Sequence, residues 1–365
     1  MTGGRSRDII AIDLLRFVCA VMVVAYHYLA DFPAGRDDRI ARMLANAGPL
    51  PAWWPAEAGA VGVELFFVIS GMVIARSALD RRWTTFLRQR VLRLAPAACI
   101  CATMTLAALA LAGQGDAASV AAWWRSVRFW PIGEQIDGSY WTLAVEISFY
   151  LVVAMAVGGQ GDRRRIAWVG NAVGLASIAF WLICLTAGPG STPMRDQAAI
   201  LLLLPHGCFF ALGMMIAQGR VRRPLFGALG AVALVEIAAH LGGMRETATV
   251  IVAQIVFAGG AALLVAAERL QPWLARRIHG GTARAIGLMT YPLYLLHQQV
   301  GAAMIGALMR AGVPGWLAVG TTAATVLALA CIVARRAEPV VRAMLARVMT
   351  PSPRPTEARR IAAES

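Results

Sequence analysis

Ten apolar stretches of bilayer length follow one another along this chain, and no other sequence feature narrows the fold so far. A helix needs about 20 mostly apolar residues to cross a hydrocarbon core of roughly 30 Å. The stretches fall at 9–30, 60–78, 94–113, 140–158, 166–187, 198–217, 225–241, 247–267, 288–309 and 316–334, and the seventh is the shortest. Charged residues make up only 15% of the chain, against about 25% in soluble domains. The expectation is an all-α integral membrane protein, a bundle of about ten transmembrane helices embedded in a lipid bilayer.

The net charge of +14 raises the question of a nucleic-acid partner. All 34 basic residues are Arg, and they sit in short segments between apolar stretches rather than on a soluble domain. No nucleic acid is expected. With the N-terminus inside, 25 Arg fall in the inside segments and 8 in the outside ones, with Arg16 inside the first stretch. This bias predicts that both ends of the chain are cytoplasmic. The first stretch contains Asp13, Arg16 and His27, so it reads as a retained helix and not as a cleaved signal sequence. The six Cys lie in apolar stretches without metal-ligand spacing, and no metal is expected. Residues 339–365, rich in Arg and Pro, are expected to form a mobile cytoplasmic tail.

Ionisable residues inside membrane helices are costly, and each is a functional candidate. Arg16 and His27 are 11 residues apart, which places them on one helix face about 16 Å apart along the axis. Asp13 lies one turn before Arg16. The second stretch carries Glu64 and Ser70 between Gly62 and Gly71, and the fourth carries Glu146. A lone buried carboxylate needs a cation or a proton. Arg90 and Arg93 are neighbours on one face if their segment is helical, and paired guanidiniums suit phosphate. Tyr294 and His297 stand one turn apart in the ninth stretch. His206, Glu236 and His240 are read as packing or interface groups. The tryptophans of the outside loops, Trp53, Trp54, Trp123, Trp124 and Trp130, suit interfacial anchoring or a stacking platform for sugar rings.

Five separated segments together resemble the acyltransferase-3 family of bacterial membrane O-acyltransferases. They are Arg16 and His27 at the family's Arg-x10-His spacing; GVELFFVISGMVI at 62–74, with Glu64 where the family usually has Asp; FLRQRVLRLAP at 86–96, with Arg90 and Arg93; SYWTLAVEISFYL at 139–151, with Trp141 and Glu146; and TYPLYLLHQ at 290–298, with Tyr294 and His297. Glu338-Pro339 is a weaker sixth. The resemblance spans residues 1–338 as one transmembrane domain, and no SGNH-type extracellular domain is expected after the tenth helix.

The resemblance implies transfer of a small acyl group, usually acetyl, from cytoplasmic acyl-CoA to a hydroxyl of an exported or cell-surface glycan, or of a lipid-linked glycan. It implies a multi-pass protein of the bacterial inner membrane. On this reading Arg90 and Arg93 dock the phosphates of acyl-CoA, and its arm passes Arg16 towards His27. His27 takes the proton of the attacking hydroxyl, since an imidazole titrates near neutral pH. Trp141, Tyr294 or Arg16 is placed to stabilise the oxyanion. Glu146 orients a His or Arg, and Glu64, Ser70 and His297 support the site. Direct transfer and an acyl-histidine intermediate are both compatible with this. Acetyl-CoA enters as a co-substrate, and no bound cofactor is expected. The alternative is a proton-coupled secondary transporter of a small solute or glycan intermediate, which buried Arg, His and Glu would also suit.

Overall fold

The computed structural model describes residues 9–187, 196–242 and 246–349, and among these every regular element is helical. In chain order the α-helices are α1 (Ile10–Tyr26), α2 (Asp38–Leu44), α3 (Gly62–Ala78), α4 (Trp83–Leu111), α5 (Ala117–Val127), α6 (Trp141–Val157) and α7 (Arg163–Ala187). They continue with α8 (Gln197–Leu201), α9 (Gly207–Ala217), α10 (Pro224–Gly242), α11 (Thr247–Ala275), α12 (Gly280–Arg310), α13 (Gly315–Ile332) and α14 (Glu338–Val348).

Eight of these helical segments are long and apolar enough to cross a membrane. Their outward faces carry large apolar side chains that no protein covers, among them Met155, Trp168, Leu185 and Ile255. Such a surface is a liability in water and a requirement in lipid. The protein is therefore an integral membrane helical bundle.

The sixth and ninth expected spans depart from that pattern. Residues 198–217 do not form one helix: α8 stops at Leu201, and α9 restarts at Gly207. Leu203 has a positive φ of 61° in the intervening turn. Pro205 follows it and cannot continue a helix. Its carbonyl instead accepts from the indole N–H of Trp181 at 3.1 Å and the hydroxyl of Ser177 at 3.4 Å. The remaining helix, α9, has 11 residues and is buried along almost its whole length. A helix that is apolar all round belongs inside the protein, and α9 is the short central post of the bundle. Helix α12 has 31 residues, about 46 Å, and so is long enough to span. His297, Gln298 and Gln299 interrupt its apolar character, and all three are buried against protein.

Glycines set the closest helix approach. Gly71 of α3 lies against the backbone of Phe210, and Gly213 of α9 against that of Val68. A side chain at either position would overlap the opposing carbonyl, as expected where small residues let membrane helices touch.

Helix α1 does not end as a plain α-helix. His27–Asp31 form a π-turn, with the Phe32 amide donating to the His27 carbonyl at 2.9 Å. A wide turn of this kind is frequent at functional sites. The expected tail also differs from the structure. Residues 338–348 are helical, as α14, and Glu338 is buried. Arg342 donates to the Leu92 carbonyl of α4 at 3.1 Å, and Arg88 of α4 to the Ala346 carbonyl at 3.4 Å. These ties hold α14 against α4: the Leu92 carbonyl lacks its helical donor because Pro96 has no N–H, and the Ala346 carbonyl is in the last turn of α14. The rest of the expected tail, from 350, lies outside the described residues, as do Arg5, Arg7, Arg195 and Arg245.

Candidate active site

Helices α1, α3, α4, α6, α12 and α14 enclose a cavity of about 640 Å³, within the range of small-molecule sites. On α12 its lining runs from Arg284 to Tyr294, ten residues or about 15 Å. Arg90 and Arg93 of α4 and Arg342 of α14 line it with Arg284, and Arg16 joins them from α1. Five guanidiniums thus face one cavity. The Arg90 guanidinium lies 5.7 Å from the Phe86 ring centre and 5.9 Å from that of Tyr150, within cation–π range. Arg93 is 3.6 Å from the Glu338 carboxylate, which Arg342 also contacts. At 29 residues α4 is about 43 Å long, so its first turns extend past a 30 Å hydrocarbon core.

Further in, Glu146 is the carboxylate of the cavity. It accepts from Ser70 of α3 at 2.9 Å and from the Tyr150 hydroxyl one turn along its own helix. Arg16 is close enough to feel Glu146 and Asp13 as counter-charges and Arg93 as a like charge. The Arg16 Nε carries no hydrogen bond. The far end is closed by Thr142, whose hydroxyl is 3.2 Å from that of Tyr294.

His27 lies outside this cavity, beyond a wall of two side chains. The His297 ring is 5.6 Å from Tyr294 on one side and 5.0 Å from His27 on the other. His297 is fully buried; its Nδ1 is 2.7 Å from the Tyr294 carbonyl, and its Nε2 has no partner. His27 pairs instead with Asp31, Nδ1 to carboxylate oxygen at 3.1 Å, and Arg36 stands 3.8 Å from the same carboxylate. The side chains of His27 and Asp31 are 16% and 12% exposed, enough to be reached from the side of the loop that follows α1. Tyr28 donates to the His297 carbonyl at 2.8 Å and fixes α1 to α12 at this level.

The expected residues therefore fall into three places. Arg16, Arg90, Arg93, Ser70, Glu146 and Tyr294 share the cavity. His27 and His297 form the pair behind its closed end. Glu64 and Trp141 lie elsewhere: Trp141 packs on Phe67 at 6.1 Å and on His206 at 5.4 Å, and Glu64 is buried beside Glu236. The carboxylate that holds His27 is Asp31, not Glu146, and its i, i+4 spacing from His27 was readable in the sequence. Tyr150 stands at the same spacing from Glu146. Asp137 had no such signal. It is buried, accepts from the Ser139 amide and hydroxyl at 2.9 and 2.6 Å, and accepts from the Gln299 amide at 2.9 Å. Burial pushes its carboxyl above the ordinary range, with the hydrogen bonds from Ser139 and Gln299 acting the other way. It joins the loop before α6 to α12, two residues from His297. Of the tryptophans expected outside, Trp123 and Trp124 stack at 5.4 Å, and Arg128 covers Trp124 at 4.0 Å.

The family model described as an acyltransferase domain, the acyltransferase-3 family, matches residues 9–335. No curated protein and no solved structure matches the chain.

Proposed function

The chain belongs to the acyltransferase-3 family, and from that premise we propose that it moves a small acyl group, acetyl in the simplest case, from acyl-CoA to a hydroxyl of a cell-surface or exported glycan. The observation that carries this reading is the set of five guanidiniums lining one cavity whose own carboxylate is Glu146. Such a site holds more cations than carboxylates and favours a polyanion, and Arg binds phosphate through paired, charge-assisted hydrogen bonds. Acyl-CoA carries phosphates at one end of a long thin arm and the thioester at the other. Its phosphates rest at Arg90, Arg93, Arg284 and Arg342, and the thioester is brought towards Tyr294.

The acceptor hydroxyl reaches His27 from the other face. Asp31 holds the Nδ1 proton of His27, which leaves Nε2 as the base. The acceptor oxygen bonds to the carbonyl carbon, the C–S bond breaks, and CoA leaves as the thiol with the proton that His27 took. The Tyr294 hydroxyl and Arg16, which both line the cavity, serve as the oxyanion donors. Transfer runs either directly to the hydroxyl or through an acyl-histidine, and the His27–His297 pair serves both routes. We place the protein in the bacterial cytoplasmic membrane with both ends inside, which puts the arginine end in the cytoplasm where acyl-CoA is made.

The test is ester-linked acetate on surface glycan in a deletion strain complemented with wild type or with His27→Ala at matched membrane levels. Acetate restored by wild type alone is the expected result, and the glycan fraction carrying it names the acceptor. Equal acetate in every strain contradicts acetyl transfer and favours a carrier or another acyl group.

A further inference from the structure

A second polar cluster lies inside the bundle, apart from the cavity. Glu64 sits in the first turn of α3, and Glu236 and His240 sit in the last turns of α10. The two α10 residues are four apart, so they face the same way. One ligand atom from each of the three lies within 4.8 Å of the others. His206, which precedes α9, contacts the Glu236 Oε1 through Nδ1 at 3.1 Å. By the direction of α3, the cluster is at the end of the bundle opposite Arg90 and Arg93.

The cluster is short of positive charge. Glu236 is fully buried and Glu64 is 6% exposed. The Oε2 atoms of both carboxylates accept no hydrogen bond. No arginine pairs with either of them among the described residues; the one imidazole contact is His206 on Oε1 of Glu236. Two carboxylates in one dry site cannot both remain ionised without a cation.

We propose that Glu64, Glu236 and His240 bind a divalent transition-metal cation, with His206 as the outer partner that orients Glu236. Two carboxylate oxygens and one imidazole nitrogen form a ligand set suited to zinc and its neighbours. Ligand atoms about 2.0–2.2 Å from a tetrahedral ion lie about 3.3–3.6 Å apart, so side-chain movements of up to about 1.5 Å close the site. Glu236 presents one oxygen to His206 and keeps the other for the metal, the carboxylate–histidine support usual around bound ions. Three protein ligands leave a coordination position open. His240 is half-buried.

The sequence shows why such a site escapes notice. Its ligands come from positions 64, 236 and 240, and no local spacing joins the first to the other two.

The test uses the full chain, purified in detergent without a polyhistidine tag. It is stripped with a chelator, loaded with Zn²⁺, passed through gel filtration and assayed for bound metal. Zinc is the stringent probe, since an N/O site of this kind holds it more tightly than manganese or iron. The expected result is about one Zn²⁺ per chain. Affinity should fall by more than about tenfold in Glu236→Gln and in His240→Ala, and by about tenfold in His206→Ala. Two results overturn the proposal: wild type that retains no Zn²⁺, which leaves the carboxylates sharing a proton, or variants that hold Zn²⁺ as wild type does. The wild-type stoichiometry decides the question by itself should a variant fail to fold.

Discussion

In the cavity bounded by α1, α3, α4, α6, α12 and α14, five guanidiniums share the lining with the carboxylate of Glu146, and Glu338 pairs with two of them. At the other end of α3, Glu64 and Glu236 meet His206 and His240 with no arginine paired to either carboxylate among the described residues. The first region has surplus positive charge and open volume. The second has surplus negative charge and is closely packed. Both surpluses lie inside a medium that penalises unpaired charge. The difference shows that surplus charge in a membrane bundle identifies what is missing. A roomy cationic site fits a large anion that comes and goes, and a tight anionic site fits a small cation that stays.

The comparison breaks most sharply at His27, which belongs to neither cluster but completes the first. His27→Ala should lower transfer by about 10²–10⁴-fold, the usual worth of general acid–base catalysis, at unchanged membrane levels. Transfer within a few-fold of wild type would remove His27 from the chemistry. The cationic site itself is tested next. A charge-assisted hydrogen bond is worth about 1.5–3 kcal/mol, so Arg90→Ala and Arg93→Ala should each raise the apparent KM for acyl-CoA by roughly 10–100-fold. A fall in kcat with KM unchanged would mean that these residues act on the transition state instead.

Salt separates the two regions with a smaller effect. Raising ionic strength from about 0.05 to 0.5 M shortens the screening length from roughly 14 to 4 Å. Binding of acyl-CoA at the half-open arginine end should weaken several-fold, while Zn²⁺ retention at the buried cluster should hardly change. Equal sensitivity would erase the contrast. The smallest effect is expected at Glu338, which pairs with Arg93 and Arg342. Glu338→Gln should tighten acyl-CoA binding by about two- to threefold, in line with a competing ion pair of modest strength. Weaker binding would show that Glu338 holds the arginines in place for the ligand.

Much of the frame was legible because lipid imposes length. The long stretches around α1, α3, α4, α6, α7, α10, α11 and α13 follow from apolar runs of 17 residues or more. The sixth stretch misled because hydropathy does not register Pro205 or the turn at Leu203, and because α9, enclosed by protein, has no need to match bilayer thickness. The tail misled because Arg and Pro suggest mobility, whereas Glu338 and Arg342 anchor α14 to α4. In the site, local pairs were readable: Arg90 with Arg93, Tyr294 with His297, and His27 with Asp31. Contacts between distant segments were not. Ser70 meets Glu146 across 76 positions and His206 meets Glu236 across 30. The wall between cavity and His27 is likewise a property of packing. It separates Arg16 from His27 although both lie on α1 and its continuation, as one helix face suggested.

The central claim is that the arginine-lined cavity is where acyl-CoA binds. Its most direct test is the affinity of purified protein for acetyl-CoA, measured by titration calorimetry on wild type, His27→Ala and the Arg90→Ala/Arg93→Ala double variant. The account predicts binding by wild type and by His27→Ala with similar affinity, and loss of more than about tenfold in the double variant. Wild-type protein that fails to bind acetyl-CoA, or a double variant that binds as tightly as wild type, would contradict it.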